Sequence, residues 1–211
     1  MDQGGTARGL SWLPDVYDIG FTLTLSEGLT PYEPLRRVGA EERHIVPLIR
    51  AAARELLLRR EEDHISDLDF LDREDEAAAA RLTHGGFLPA PPRTIVRAGS
   101  VADWAYALEE IHWHAGTRLA ELSRRGRAFC VDSNAKGFTR VEFARHAELL
   151  SSFEPGLPHL ASGVPAEEAL GFVHHGGEPG HLSFLRFLEG ALGLDIPWEE
   201  TESELPSAAF T

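Results

Sequence analysis

The chain predicts an α+β fold: a mainly antiparallel sheet with flanking helices, plus a helical insertion at about 41–82. Three observations carry that expectation. Phe21, Leu23 and Leu25 alternate with Thr22, Thr24 and Ser26, the two-residue period of a strand with one wet face. Ile45, Leu48, Ile49, Ala52 and Leu56 recur at helical spacing instead. Between residues 94 and 155 short strand-like runs follow one another across turns, without the strict strand–helix alternation of a parallel doubly wound sheet.

Taken in order, residues 1–16 begin polar and glycine-containing and read as a loose N-terminal segment. A single domain is expected over 17–198. Its first strand ends at Gly28, and Thr30-Pro31-Tyr32-Glu33 reads as a capping box opening a short helix that Gly39 closes. A second helix is expected from about 46 to 60, with Pro47 tolerated in its first turn and Arg50, Arg54 and the Glu55/Arg59 pair on its wetter side. The acidic stretch 61–76 should continue as an amphipathic helix through the alanines 77–80 and Leu82, with Ile65, Leu68, Phe70 and Leu71 as its apolar side.

Gly85-Gly86 with Pro89, Pro91 and Pro92 mark a loop. It separates a helical, acidic subregion (41–88) from a sheet-rich one (94–155). There, strands at 94–97 and 104–108 should flank a Gly99-Ser100 turn, and a short helix should cover 115–125. Strands at 128–131, 138–144 and 149–153 follow, the first two joined by a turn at 134–137. Helices over 165–175 and 182–192 form a C-terminal subregion (165–193), and 199–211 reads as an acidic tail.

Charge narrows the partners. The net charge is -14 from 20 basic and 34 acidic residues, and only Lys136 is a lysine. Nucleic acid and anionic membranes need clustered cations, so neither is expected as a partner. Between Glu61 and Glu76 stand nine acids against Arg73. No run of apolar residues is long enough to cross a bilayer, and the N-terminus carries no apolar core of signal-peptide length. Cys130 is the sole cysteine, which fits a reducing cytoplasm.

Several pieces, in order, resemble a family of uncharacterised actinobacterial proteins defined as a domain of unknown function. They are Leu23-Thr24-Leu25, Gly28-Leu29-Thr30-Pro31 and Leu35-Arg36-Arg37-Val38-Gly39, then Trp104 with Ala107 and Glu109, and Trp113 with Gly116. Leu122-Ser123 with Gly126, Asn134, Phe143, Phe153-Glu154-Pro155, and Gly163 with Pro165 complete the pattern. The acidic stretch around 41–81 and the additional histidines depart from it. The resemblance implies a compact cytoplasmic domain and brings no activity, cofactor or site residue.

Candidate chemistry is sparse. His174, His175 and His181 with Glu178 could converge on zinc, although adjacent histidines on a helix point about 100° apart. His112 and His114 would share one face if extended, with His146 as a distant third ligand. The plain alternatives are a polar helix end for the first group and packing of Trp113 with two exposed histidines for the second. Cys130 lies in an apolar strand-like run, where a thiol is buried and unactivated. Ser123, Ser151 and Ser152 lack a nucleophile elbow, and no phosphate-binding glycine motif occurs. Arg118, Arg124, Arg125 and Arg127 could grip a phosphate or an acidic partner peptide; the plain alternatives are pairing with the acidic segment or a solvated face near a helix C-terminus. Trp104, Trp113 and Phe143 could line a ligand pocket or serve the core.

The expectation is therefore a non-catalytic cytoplasmic interaction or regulatory protein, of immunity type for example, with no cofactor. Asp67, Asp69, Asp72, Glu74, Asp75 and Glu76 would bind a basic protein partner. The alternative is a metal-dependent hydrolase or metal-binding protein built on His112, His114, His174, His175 and His181.

Overall fold

The computed structural model describes residues 9–64, 67–72 and 74–211. Residues 1–8, Ile65, Ser66 and Arg73, on which the loose N-terminus, the amphipathic acidic helix and its single base partly rest, lie outside the described residues.

In chain order the elements are α1 (Leu13–Val16), β1 (Gly20–Glu27), α2 (Tyr32–Arg37), β2 (Val46–Leu48), α3 (Arg50–Leu58) and α4 (Glu76–His84). They continue with β3 (Thr94–Val101), β4 (Trp104–Glu110), α5 (Leu119–Leu122), β5 (Arg127–Asn134), β6 (Thr139–Arg145) and β7 (Glu148–Glu154). The last are β8 (Leu157–Gly163), α6 (Ala166–Leu170), α7 (Gly180–Leu192), α8 (Trp198–Glu202) and β9 (Leu205–Phe210).

The strands form one nine-stranded sheet in the order β2-β9-β3-β4-β1-β5-β6-β7-β8. Each neighbouring pair is antiparallel. This open sheet with flanking helices corrects the expected mainly antiparallel fold with a helical insertion at 41–82. That stretch supplies an edge strand of the sheet, β2, which pairs with β9, and its helices α3 and α4 are separated by turns.

The physical reasons are local. Val46 and Leu48 are buried while Pro47 between them is exposed, a strand's alternation, and an edge strand tolerates proline's missing N–H. Among the described residues the acidic run ahead of α4 contains no α-helix, and its aspartates bind neighbouring amides. Asp63 accepts from Arg60 N at 2.8 Å, Asp67 from His64 N at 3.2 Å and Asp72 from Glu74 N at 3.0 Å. Such bonds compete with the helical ladder, and carboxylates one turn apart repel.

Other expectations change in the same way. Both faces of β1 are buried, because it lies in mid-sheet between β4 and β5, so Thr22, Thr24 and Ser26 are not wet. Glu33 does reach back to Thr30 N at 2.8 Å, but the Thr30 hydroxyl also donates to it instead of capping α2. Gly99 and Ser100 lie inside β3, and the turn falls at Ala102 and Asp103. Residues 10–13 pack into the core, so 9–16 is not loose: Leu10 and Leu13 are buried, and Ser11 N donates to Glu189 at 2.9 Å. Nor is 199–211 a tail, since β9 lies between β2 and β3.

The sheet separates two differently built layers. Leu23, Leu25, Tyr106, Leu108, Phe129 and Val141 face α1, α6 and α7, where Phe184, Leu185 and Leu188 fill the space. On the other face Ala105, Ala107, Ala128, Cys130 and Ala144 meet Leu35 of α2 and Leu119 and Leu122 of α5. Close packing explains the pairing of small sheet residues with short, near helices. A third cluster at the β2 edge joins Leu56 of α3, Leu68, Leu82 of α4, Phe87 and Ile95.

Candidate functional site: a cleft between α3 and the acidic segment

Helix α3 has two working sides. Leu56 and Ala53 anchor it to the edge cluster, while Arg50, Arg54 and Arg59 project along a cleft of about 600 Å³. The opposite lip carries Asp67 and Asp69, held in place by the buried Leu68 between them. Glu55 of α3 ties the two lips together by accepting from Asp69 N at 2.6 Å.

Of the expected partner-binding acids, Asp67 and Asp69 line this cleft, and Asp72, Glu74, Asp75 and Glu76 continue along the same segment. All are exposed. Asp75 has a second duty: its carboxylate accepts from Ala78 N at 2.8 Å and caps α4. The front of the acidic run is partly neutralised, because Arg60 pairs with Glu62 at 3.4 Å and Asp63 at 3.1 Å. Among the described residues no guanidinium pairs with Asp69, Asp72, Glu74, Asp75 or Glu76.

Behind α3 lies a buried ionic cluster that sequence spacing did not reveal. Glu110 is bridged by Arg50 at 3.6 Å and Arg54 at 3.2 Å, Arg50 also binds Glu202, and Arg54 binds Asp18 at 3.1 Å. Burial raises the Glu110 carboxyl, against the pull of Arg54 and Arg50. Arg97 is buried too, and burial lowers its guanidinium's hold on its proton. The Tyr106 hydroxyl donates to Glu200 at 3.0 Å. The Glu55/Arg59 pair expected on the wet side is absent: Arg59 is buried and donates to the Pro89 carbonyl.

The histidines do not assemble. Among the described residues, no group of three or more His, Cys, Asp or Glu could hold a metal ion. His114 is half-buried, its ring stacked on Phe210 at 3.9 Å and its Nε2 within 3.1 Å of the Val38 carbonyl. His112 is half-buried as well, and burial lowers its pKa. Trp113 is the exposed member, under the Arg140 guanidinium at 4.9 Å, which reverses the expected packing. His146 sits in the β6–β7 turn at φ +52°. His174 and His175 line a different, largely apolar pocket with Phe153, Pro155 and Phe172, and His181 begins α7.

No family model matches the chain, and neither does any curated protein or solved structure. The remaining candidates resolve by geometry. Cys130 is buried against Gly116, and burial holds its thiol well above the usual range. Ser123 donates to the Ala120 carbonyl at 2.9 Å and accepts from Ala147 N at 3.1 Å, which makes it a turn brace. Arg127 grips Glu27 at 2.7 Å, Arg125 pairs with Glu33 at 3.2 Å and Arg124 with Glu121 at 2.5 Å, so most of that cluster is spent inside the molecule. Its partners are Glu27, Glu33 and Glu121, not the acidic run. Trp104 and Phe143 belong to the core.

One carboxylate of β4 folds a loop against the sheet. Glu109 is buried and accepts from His114 N at 2.7 Å, Ala115 N at 2.9 Å and the Thr94 hydroxyl at 3.3 Å. Burial outweighs those donors and pushes its carboxyl up to about 8. Its role is to fold the 111–116 loop onto the sheet.

Proposed function

We propose that this protein is a non-catalytic cytoplasmic interaction protein, of regulatory or immunity type, that docks a basic protein partner on the acidic lip of the α3 cleft. The observation that carries the reading is the exposure of Asp67, Asp69, Asp72, Glu74, Asp75 and Glu76 on one segment pinned from beneath by Leu68. Carboxylates held at the surface accelerate encounter and select a positively charged partner. The chain's charge of -14 acts in the same direction. The inward placement of Cys130 and the bracing role of Ser123 support a non-catalytic reading. The lone cysteine fits a reducing compartment, and no helix among the described residues is long and apolar enough to cross a membrane. The actinobacterial resemblance is part of the proposal and adds no activity.

The test is capture of cellular proteins on the immobilised chain at about 0.05 M and about 0.5 M salt, since screening shortens from over 10 Å to a few ångströms across that range. A lysine-substituted variant at Asp69, Asp72, Glu74 and Glu76 leaves the Asp75 cap intact. Basic partners should be retained at low salt only by the natural chain. Equal capture by both chains rules the acidic lip out.

A further inference from the structure

The two edges of the sheet are built differently. β2 is three residues long, carries Pro47 at its centre, and buries Val46 and Leu48 in the cluster with α3 and α4. At the other edge β8 runs for seven residues, and all seven are exposed. It pairs with β7 alone, and among the described residues no other segment bonds its outer side. A strand turns alternate N–H and C=O groups to each side, so this edge offers an unfilled ladder to another strand. Pro158 lacks an amide hydrogen and the register slips between Ser152 and Glu154, so the regular ladder lies in the C-terminal half of β8. No Lys, Arg, Asp or Glu stands within the strand to guard it, and Leu160 is 51% exposed.

Beside this edge lies a cavity of about 810 Å³, to which β8 contributes Pro158, Ala161 and Gly163. Phe172 and the exposed Val173 give it apolar walls. Its carboxylates are Glu154 and Glu167, and no lysine or arginine lines it. Among the described residues neither carboxylate pairs with a base. An open strand edge next to an apolar pocket is the arrangement by which proteins capture extended peptides: the ladder supplies affinity, and the pocket selects side chains.

We propose that the β8 edge and this cavity together bind an extended segment of a partner protein, with alternating apolar side chains and flanking arginine or lysine. The segment adds a tenth strand to the sheet. One of its apolar side chains enters the cavity against Phe172 and Val173, and its basic residues meet Glu154 and Glu167. A second copy of this chain fits worse, because two such acidic rims and two net charges of -14 would meet. The surface is separate from the acidic lip, since β8 closes one end of the sheet and α3 packs at the β2 end.

The probe is a fluorescent peptide of nine residues that alternates valine with threonine and ends in arginine on both sides, titrated into the full chain at pH 8. Binding should saturate, and it should slow hydrogen exchange within 159–163 while leaving 67–72 unchanged. An analogue with every amide N-methylated keeps the side chains but cannot donate to β8, and should bind at least about tenfold more weakly. The double variant Glu154→Gln, Glu167→Gln should weaken binding of the parent peptide about three- to tenfold. Absence of saturable binding overturns the proposal, as does protection at 67–72 in place of β8. Undiminished binding of the N-methylated peptide, or of the parent peptide to the double variant, does so too. A peptide-free chain that sediments as a dimer, and as a monomer after Leu160→Glu, gives the edge to a second copy and likewise overturns it.

Discussion

Carboxylates and guanidiniums occupy two regions of this molecule on opposite sides of α3. Behind the helix, Glu110, Arg50, Arg54 and Arg97 are buried or half-buried and committed to named atoms of β2, β4, α3 and the end of α8. In front of it, the carboxylates of Asp67, Asp69, Asp72, Glu74, Asp75 and Glu76 are exposed. The same functional groups do opposite work because their surroundings differ. Inside, an unmatched charge is expensive, so each one fixes tertiary geometry. Outside, water stabilises the charge at little structural cost, and the side chain stays at the surface.

Six substitutions would break or sharpen that contrast. The largest concerns Glu109, whose proton is held more tightly in the folded chain than in the unfolded one. Its contribution is complete below about pH 4.5 and is lost as pH rises through about 8. Glu109→Gln keeps one acceptor, for either the 114 or the 115 amide, and removes the titration, so it should lower stability at acid pH and flatten its decline across that window. At about 1.4 kcal/mol per pH unit, the difference is at most about 5 kcal/mol. Next, Glu110→Ala strips Arg50 and Arg54 of their shared buried anion and should cost about 3–5 kcal/mol in urea unfolding. A loss below about 1 kcal/mol would mean the buried cluster is as dispensable as a surface pair.

Smaller effects separate packing from charge. A Cβ at Gly99 would lie 2.2 Å from the Tyr106 hydroxyl, so Gly99→Ala should lose about 1–3 kcal/mol and disturb the Tyr106–Glu200 bond. Chemical denaturation, with tyrosine absorbance as the probe, reads both. On the outer side, Glu74→Lys and Glu76→Lys should each stay within about 0.5 kcal/mol of the natural chain. Asp75→Ala, by contrast, should lose about 1 kcal/mol because it uncaps α4. Thermal unfolding of the three variants distinguishes a display residue from a helix cap.

Much of the local structure is legible in the residues. The Phe21-Leu23-Leu25 alternation locates β1, Asn134 to Gly137 turns β5 into β6, and the apolar stripe of Leu185 and Leu188 identifies α7. The solvent exposure of the acidic acids is legible as well, since so many like charges cannot be buried together. Other elements are silent. Residues 205–210 contain Pro206, Ser207, Ala208 and Ala209, with no β-branched pattern, yet they form β9. Residues 45–56 satisfy helical periodicity even through Val46 and Leu48, because Leu48 serves strand and helix spacing equally.

What the chain determines by itself are short-range matters: periodicity, turns, caps, and which charges must stay wet. The tertiary structure alone decided that β9 would fill the slot between β2 and β3, that Thr22 and Thr24 would be buried, and that Tyr17, Arg50, Arg97, Glu110 and Glu202 would meet. Those outcomes depend on groups far apart in the chain, and the free energy that brings them together, burial shared across the whole sheet, belongs to no local segment.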